Sequence, residues 1–419
     1  MNTLTLHSAK RMLPKHLVLL TVLLGCLSVQ NTFGKDRTSD NARVEDGTEF
    51  RVLVPQFATE EEAQLGYSVS FALVHEIFRT FDRSTPFHDD GRFDPNNPDE
   101  CCLPKNTIAI LDPSLSKQAY SRSFARAKFK QAQIVLWGKA WPYGKDVVVQ
   151  PFLTIARPPQ RLAGPPESMV RSMESTAQNQ WQWLLWQITA EEEDGSSATV
   201  SLTEFPSSRY EMSPIVFDAT KLELFDSFDG LQVYKEKSTA SKKAGKTENK
   251  MNAIEHAPGG WTKITQPPGW IQLPDLDAAD TVEYIGGLVH FMRGNWKRAR
   301  ISFEKVRSDR EAPTQVRRDA ALLLAASQYR LDDTCAKCEE PMKFAEGLNP
   351  YSETTAKYFF MASLAAARSS SDAGVWQGVV DRLDRVRSLV PEDDDFVKNA
   401  GEVLDILRSQ AGVPVLTQP

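Results

Sequence analysis

The sequence predicts a multidomain fold: an α/β sandwich, then an all-β region ending in a small barrel, then an all-α solenoid. Three observations carry this. Between Phe50 and Ile155, apolar runs follow the order strand, helix, strand, helix, hairpin. Beyond a proline-rich connector, Arg157 to Gly164, short stretches alternate apolar and polar residues. Past Pro274, apolar and small residues recur at helical spacing. A chain of 419 residues exceeds what one ordinary core organises, so two or three domains are expected.

The N-terminus carries an export signature. Lys10, Arg11 and Lys15 precede the apolar run Leu17 to Gly25, which is too short for a comfortable membrane span. Residues 1–34 are expected to be a signal peptide, cut after Thr32-Phe33-Gly34. Its removal takes away three positive charges and moves the net charge from −6 to −9. A second reading makes Leu23-Leu24-Gly25-Cys26 a lipobox and Cys26 a lipidation site that tethers the protein to the membrane. The expected location is therefore periplasmic or lipoprotein-anchored. An acidic chain with both charge signs interspersed argues against nucleic acid as a partner.

Residues 35–48 are polar and aperiodic, a flexible linker. The α/β domain spans 49–160. Arg51 to Phe57 reads as a buried strand. Leu65, Val69, Ala72, Leu73, Ile77 and Phe78 define a helix from about Glu61 to Phe81. Thr107 to Leu111 is a second strand, and Pro113 opens a second helix with Tyr120, Phe124 and Ala127 on one face. Ala132 to Ile155 reads as a hairpin turning at Pro142-Tyr143-Gly144. The strand Val52-Leu53-Val54-Pro55 and the segment Gln131 to Gly138 resemble the amino-terminal domain of TolB and the curli-export lipoproteins. Gln131 and Gln133 replace two residues of that family's glycine-alanine-aspartate pattern. The resemblance implies an envelope interaction or assembly module without enzymatic activity.

Residues 178–227 are expected to be β-rich. Ala198 to Phe205, Pro214 to Phe217 and Lys221 to Phe225 read as strands, and Ala244 to Asn252 as a distal loop in the next module. Residues 228–276 hold two glycine–tryptophan pairs in the order of a bacterial SH3-like domain, which they resemble. Leu231 and Val233 match its opening strand, and Ser238, Thr239 and Ser241 its loop. Gly260 to Ile264 and Gly269-Trp270-Ile271 match its last strands. Tyr234 stands where the family has arginine, and Pro267-Pro268 shortens the final turn. Strand alternation puts Trp261, Lys263 and Thr265 on one side and Thr262 and Ile264 on the other. Trp261, Trp270 and Tyr234 are the candidate ligand-binding residues, for a peptide in an aromatic groove. The competing reading buries both tryptophans in the barrel core or at its helical junction.

Residues 278–410 resemble tetratricopeptide repeats. Gly287, Gly294, Ala299, Phe303 and Val306 fall at that family's spacing, on helices at about Thr281–Arg293 and Trp296–Ser308. Leu322, Ala326 and Tyr329 open a second pair, and Tyr358, Met361, Ala362 and Ala365 a third. Phe396 to Leu407 reads as a capping helix and 411–419 as a tail. The resemblance implies a groove for a protein partner.

Cys335 and Cys338 are candidate disulfide partners in an oxidising compartment, with half a metal site or a redox pair as alternatives. Adjacent Cys101 and Cys102 cannot bridge each other without strain. No phosphate loop, nucleophile elbow or His-Glu-x-x-His motif is present. No metal and no cofactor is expected. The leading expectation is a non-catalytic envelope scaffold or adaptor that binds protein or cell-wall peptide through its SH3-like and tetratricopeptide-like surfaces. The alternative is an envelope enzyme or metal-binding protein with its site near the acidic loop at His88.

Overall fold

The computed structural model describes residues 52–59, 63–80, 109–112, 133–155, 185–192, 194–225, 230–247, 253–257, 259–274, 278–292, 294–332, 334–391 and 393–413. The signal peptide, Cys26, the linker, the His88 loop with Cys101 and Cys102, and the helix after Pro113 lie outside them.

Glu49 to Pro419 forms one compact unit. Its first layer is a mixed sheet. β1 (Val52–Pro55) runs parallel between β2 (Ala109–Asp112) and β3 (Ile134–Tyr143). β3 pairs antiparallel with β4 (Asp146–Ile155) over all ten residues, turning at Gly144, whose φ of 64° suits glycine. Helix α1 (Ala63–Thr80) packs Val69, Ala72, Leu73 and Ile77 into the core. Ser70 Oγ ties it to the strand end, accepting from Phe57 N at 3.0 Å and donating to the Pro55 carbonyl at 2.9 Å. Gly138 permits that close packing: a Cβ there would meet the Gln150 carbonyl oxygen at 2.2 Å and the Phe57 ring at 2.5 Å.

Residues 185–225 divide between two neighbours. β5 (Trp186–Glu191) and β6 (Ser197–Leu202) form a hairpin. β7 (Arg209–Glu211) and β8 (Ile215–Asp218) add to the outer edge of β4, lengthening the first sheet. Lys221 to Phe225, expected as a strand, is helical instead. Asp218 caps helix α2 (Ala219–Leu222) by accepting from Thr220 N at 2.9 Å, and a further helical turn covers Glu223–Phe225. A local side-chain cap outweighs a two-residue apolar alternation where no neighbouring strand is available.

The second sheet is antiparallel. It orders β9 (Gln232–Tyr234), β10 (Lys243–Lys246), β11 (Ala253–Ala257), β12 (Trp261–Thr265) and β13 (Pro268–Gln272) as β10-β9-β13-β12-β11. Lys243 to Lys246, expected partly as loop, is thus a strand. Val233, Ile264, Ile271 and Leu273 form its small core. Gly260, at φ 76°, lets the chain pass the Leu273 carbonyl, where a Cβ would sit at 1.8 Å.

Seven helices complete the chain: α3 (Ala279–Met292), α4 (Trp296–Ser308), α5 (Thr314–Leu331), α6 (Glu339–Leu348), α7 (Glu353–Ala367), α8 (Ala373–Arg387) and α9 (Asp395–Gln410). Gly287 faces the Phe303 ring, and a Cβ would approach it to 2.7 Å, so the glycine sets how closely α3 and α4 pack. One apolar core runs unbroken from the first sheet through α1 and the β5–β6 hairpin into these helices.

Candidate functional site

Alternation along β12 separates two environments. Thr262 and Ile264 are buried on the side of the small core, and Trp261 and Lys263 lie on the other. Register then assembles a lateral row across four strands. Lys243 stands opposite Tyr234, Tyr234 opposite Trp270, and Trp270 opposite Lys263. Trp261 lies one pair further along, opposite Gln272. The structure therefore brings Tyr234, Trp261 and Trp270 together in a cluster separate from the core.

The tryptophans are a floor rather than an open groove. Trp261 is 9 % exposed and Trp270 8 %, while Tyr234 is half-buried. The Tyr234 and Trp261 rings meet edge to face at 5.7 Å. Lys237 Nζ lies 4.8 Å from the centre of the Trp270 ring, and Lys263 Nζ 5.6 Å. Each such contact is worth about 0.5–1 kcal/mol at a solvent-accessible site. Solvent thus meets ammonium groups above an aromatic layer. Trp261 opens β12, but Trp270 is the third residue of β13, because Gln266 and Pro267 make the turn and Pro268 already pairs with Thr265.

The inner helices are occupied by the chain itself. Trp186 of β5 is fully buried, stacked on Tyr329 at 4.9 Å and edge-on to Tyr358 at 6.0 Å. Tyr329 Oη donates to the Gln187 carbonyl, and Tyr358 Oη to that of Glu204 at 3.2 Å. Gln315 Nε2 donates to Ser207 Oγ at 3.0 Å, and Gln410 Nε2 to the Glu191 carbonyl. These contacts come from α5, α7 and α9.

A polar centre lies in the same junction. Asp319 of α5 is fully buried and accepts from Arg318 Nε at 2.6 Å. Burial pushes its carboxyl above the ordinary carboxylate range, and the Arg318 bond opposes that shift. Tyr210 and Tyr284 cross at 5.0 Å, and burial drives their hydroxyls, and that of Tyr358, well above the usual phenol range. Neutral pH therefore leaves all three hydroxyls protonated.

Cys335 and Cys338 are joined by a disulfide with a Cα–Cα distance of 5.2 Å. It closes the turn between α5 and α6, where Cys335 takes the left-handed φ of 52°. Among the described residues no group of three His, Cys, Asp or Glu side chains is placed to hold a metal ion.

Sequence patterning named the aromatics but not their lysine cover or the Asp319 centre. Lys237 sits outside any strand, and its place over Trp270 arises only when β9 meets β13. Asp319 sat unremarked within an apolar helical stretch, and that interruption was its one available signal. No family model, curated protein or solved structure matches the chain.

Proposed function

We propose that the chain is an exported, non-catalytic adaptor of a bacterial cell envelope that binds protein or cell-wall peptide partners. The observation that carries this reading is the row Lys243, Tyr234, Trp270 and Lys263 laid across one sheet face. An ordered face of aromatic and cationic groups is what peptide recognition requires: area from the rings, orientation from the charges. Five short antiparallel strands around a four-residue core support the SH3-like assignment of 228–276. The close α3–α4 packing at Gly287 and Phe303 supports the tetratricopeptide-like assignment. Parallel pairing of β1 with β2 and β3 supports the TolB-like assignment of the first domain.

In this proposal the five-stranded face is the principal partner surface. The inner sides of α5, α7 and α9 already hold the β5–β6 hairpin and the strand that follows it. The helices then act as a scaffold for the rest of the chain.

Affinity capture from envelope extract tests the proposal. The full chain is expected to retain specific protein or cell-wall peptide, and a Tyr234→Ala, Trp270→Ala chain to lose it. Recovery of nothing specific, together with stoichiometric bound metal that disappears in His88→Ala, would replace the adaptor by the metal-dependent alternative.

A further inference from the structure

The β3–β4 hairpin turns through Lys139-Ala140-Trp141-Pro142-Tyr143-Gly144-Lys145. Alternation sends Ala140 into the core and puts Lys139, Trp141 and Tyr143 on the other side of the sheet. Both rings stay open to solvent there, Trp141 at 39 % exposed and Tyr143 at 71 %. Register carries the apolar area sideways. Trp141 stands opposite Val148, and Val148 opposite Val216, which is 57 % exposed. A Cβ at Gly144 would meet no atom of the described residues within 4 Å, so the turn projects.

The charges at this end are mixed but lean positive. Exposed Lys139 and Lys145 flank the aromatic pair along the chain. Ala219 N donates to the Lys145 carbonyl at 3.3 Å, which brings exposed Lys221 of α2 to the same end of the sheet. Asp146 stands opposite Tyr143, and Asp218 opposite Asp146. The Asp218 carboxylate is engaged by Thr220, from N at 2.9 Å and Oγ1 at 2.6 Å. Three lysines against two aspartates make this end positive in a chain that carries −6.

We propose that the tip of the β3–β4 hairpin is a membrane-surface contact, resting in the headgroup layer of a phospholipid bilayer that contains anionic lipid. Tryptophan and tyrosine suit that layer because each joins an apolar ring to a polar group. A lysine stem lies along apolar surface while its ammonium reaches a phosphate. The spacing fits as well. Tyr143 and Lys139 are four residues apart on one strand, about 14 Å. Entry of Tyr143 by about 5–10 Å leaves Lys139 at the outer edge of the headgroups. Asp146 and Asp218 lie level with Tyr143, and the cost of taking a carboxylate from water keeps the tip out of the acyl core. The acidic remainder of the chain is repelled by anionic lipid, which turns the positive end towards it. A second copy, joined through the row Trp141, Val148 and Val216, is the competing occupant. It would leave Tyr143, the most exposed apolar side chain at this end, on the rim, whereas a bilayer takes the projecting turn first. The inference stands apart from the adaptor reading, because the hairpin belongs to the first sheet and not to 228–276.

Vesicle flotation tests the proposal, using the chain without residues 1–34, which lie outside the compact unit Glu49 to Pro419. Their removal also takes away Cys26 and the apolar run, so neither can hold the chain to lipid. The probes are phosphatidylcholine vesicles with and without phosphatidylglycerol. The chain is expected to float with the mixed vesicles and about fivefold less with phosphatidylcholine alone. Trp141→Ser with Tyr143→Ser is expected to lower partitioning about tenfold, since the aromatic rings supply the inserted area. Lys139→Glu with Lys145→Glu is expected to abolish the preference for phosphatidylglycerol. Tyr351→Ser removes a tyrosine of similar exposure between α6 and α7 and is expected to change nothing. The urea midpoint checks that each variant is folded. Flotation with neither vesicle overturns the proposal. Flotation that survives the double aromatic change, or is lost instead in Lys237→Glu with Lys243→Glu, overturns it as well. Sedimentation velocity reads the competing occupant: a dimer that disappears in the aromatic variant, without vesicle binding, replaces the bilayer by a second copy. Envelope capture through Tyr234 and Trp270 is scored on separate variants, so either reading can fail alone.

Discussion

Trp186 and Trp270 are both buried tryptophans, and their surroundings differ in kind. Trp186 is enclosed by rings from two helices, Tyr329 and Tyr358, whose hydroxyls are tied to carbonyls of the hairpin strand and its exit. Trp270 rests on a half-buried tyrosine neighbour and is covered by two lysines. The first environment ties both tyrosine hydroxyls to the chain but leaves Trp186 Nε1 buried without a hydrogen bond among the described residues. The second leaves cations at the surface over a small sheet with a four-residue core. The difference is one of cover: Trp186 is closed off by rings of its own chain, and Trp270 is roofed by two lysine ammonium groups.

The largest expected effect strikes the closed side. Trp186→Ala removes a fully buried ring from the continuous core and is expected to cost about 3–5 kcal/mol in urea unfolding. Trp270→Ala should cost less and abolish peptide capture. Equal stability losses would erase the distinction. Next comes the Cys335–Cys338 bridge. Its loop is short, so chain entropy predicts about 2 kcal/mol, read as the shift in urea midpoint on adding reductant. No shift in Cys335→Ser would mean that the turn holds without it. A smaller effect sits at the start of α9. Asp394 accepts from Phe396 N at 2.9 Å and from Val397 N at 3.3 Å, and it pairs with Lys357 Nζ at 3.0 Å. Asp394→Ala is expected to cost about 1 kcal/mol.

The smallest effect is a pH dependence at Asp319. Its folded carboxyl titrates above its unfolded one, because burial outweighs the Arg318 bond. Below the ordinary carboxylate range both states are protonated and the group is neutral towards folding. As pH rises from that range through the raised value, the unfolded state releases its proton first and stability falls. Asp319→Asn should flatten that segment of a melting-temperature profile while leaving peptide binding untouched. An unchanged profile would show that the junction does not hold the carboxyl as described.

Local chemistry made part of this legible. Gly287, Ala299 and Phe303 announce a tight helix pair because the contact is made within twenty residues by steric size alone. The β3–β4 hairpin was readable for the same reason, with a one-residue shift of its turn towards Gly144. Lys221 to Phe225 was misread because Leu222 and Leu224 alternate as in a strand, while the capping carboxylate at Asp218 lies outside that window. The edge strand β8 was visible as a strand but not as an addition to β4, and β7, only three residues long, was not marked as a strand at all.

The aromatic face follows the same division. Sequence alone determined that Trp261 and Lys263 share a side of their strand, since a strand's side chains alternate whatever it pairs with. It determined the glycines that let the chain turn there, and the excess of lysine in the region. Only the tertiary structure decided that Lys243, Tyr234, Trp270 and Lys263 form one row, because register between strands depends on pairings remote along the chain. It alone decided that Trp186 fills the inner side of the helices, because burial is a property of the assembled core rather than of any one segment.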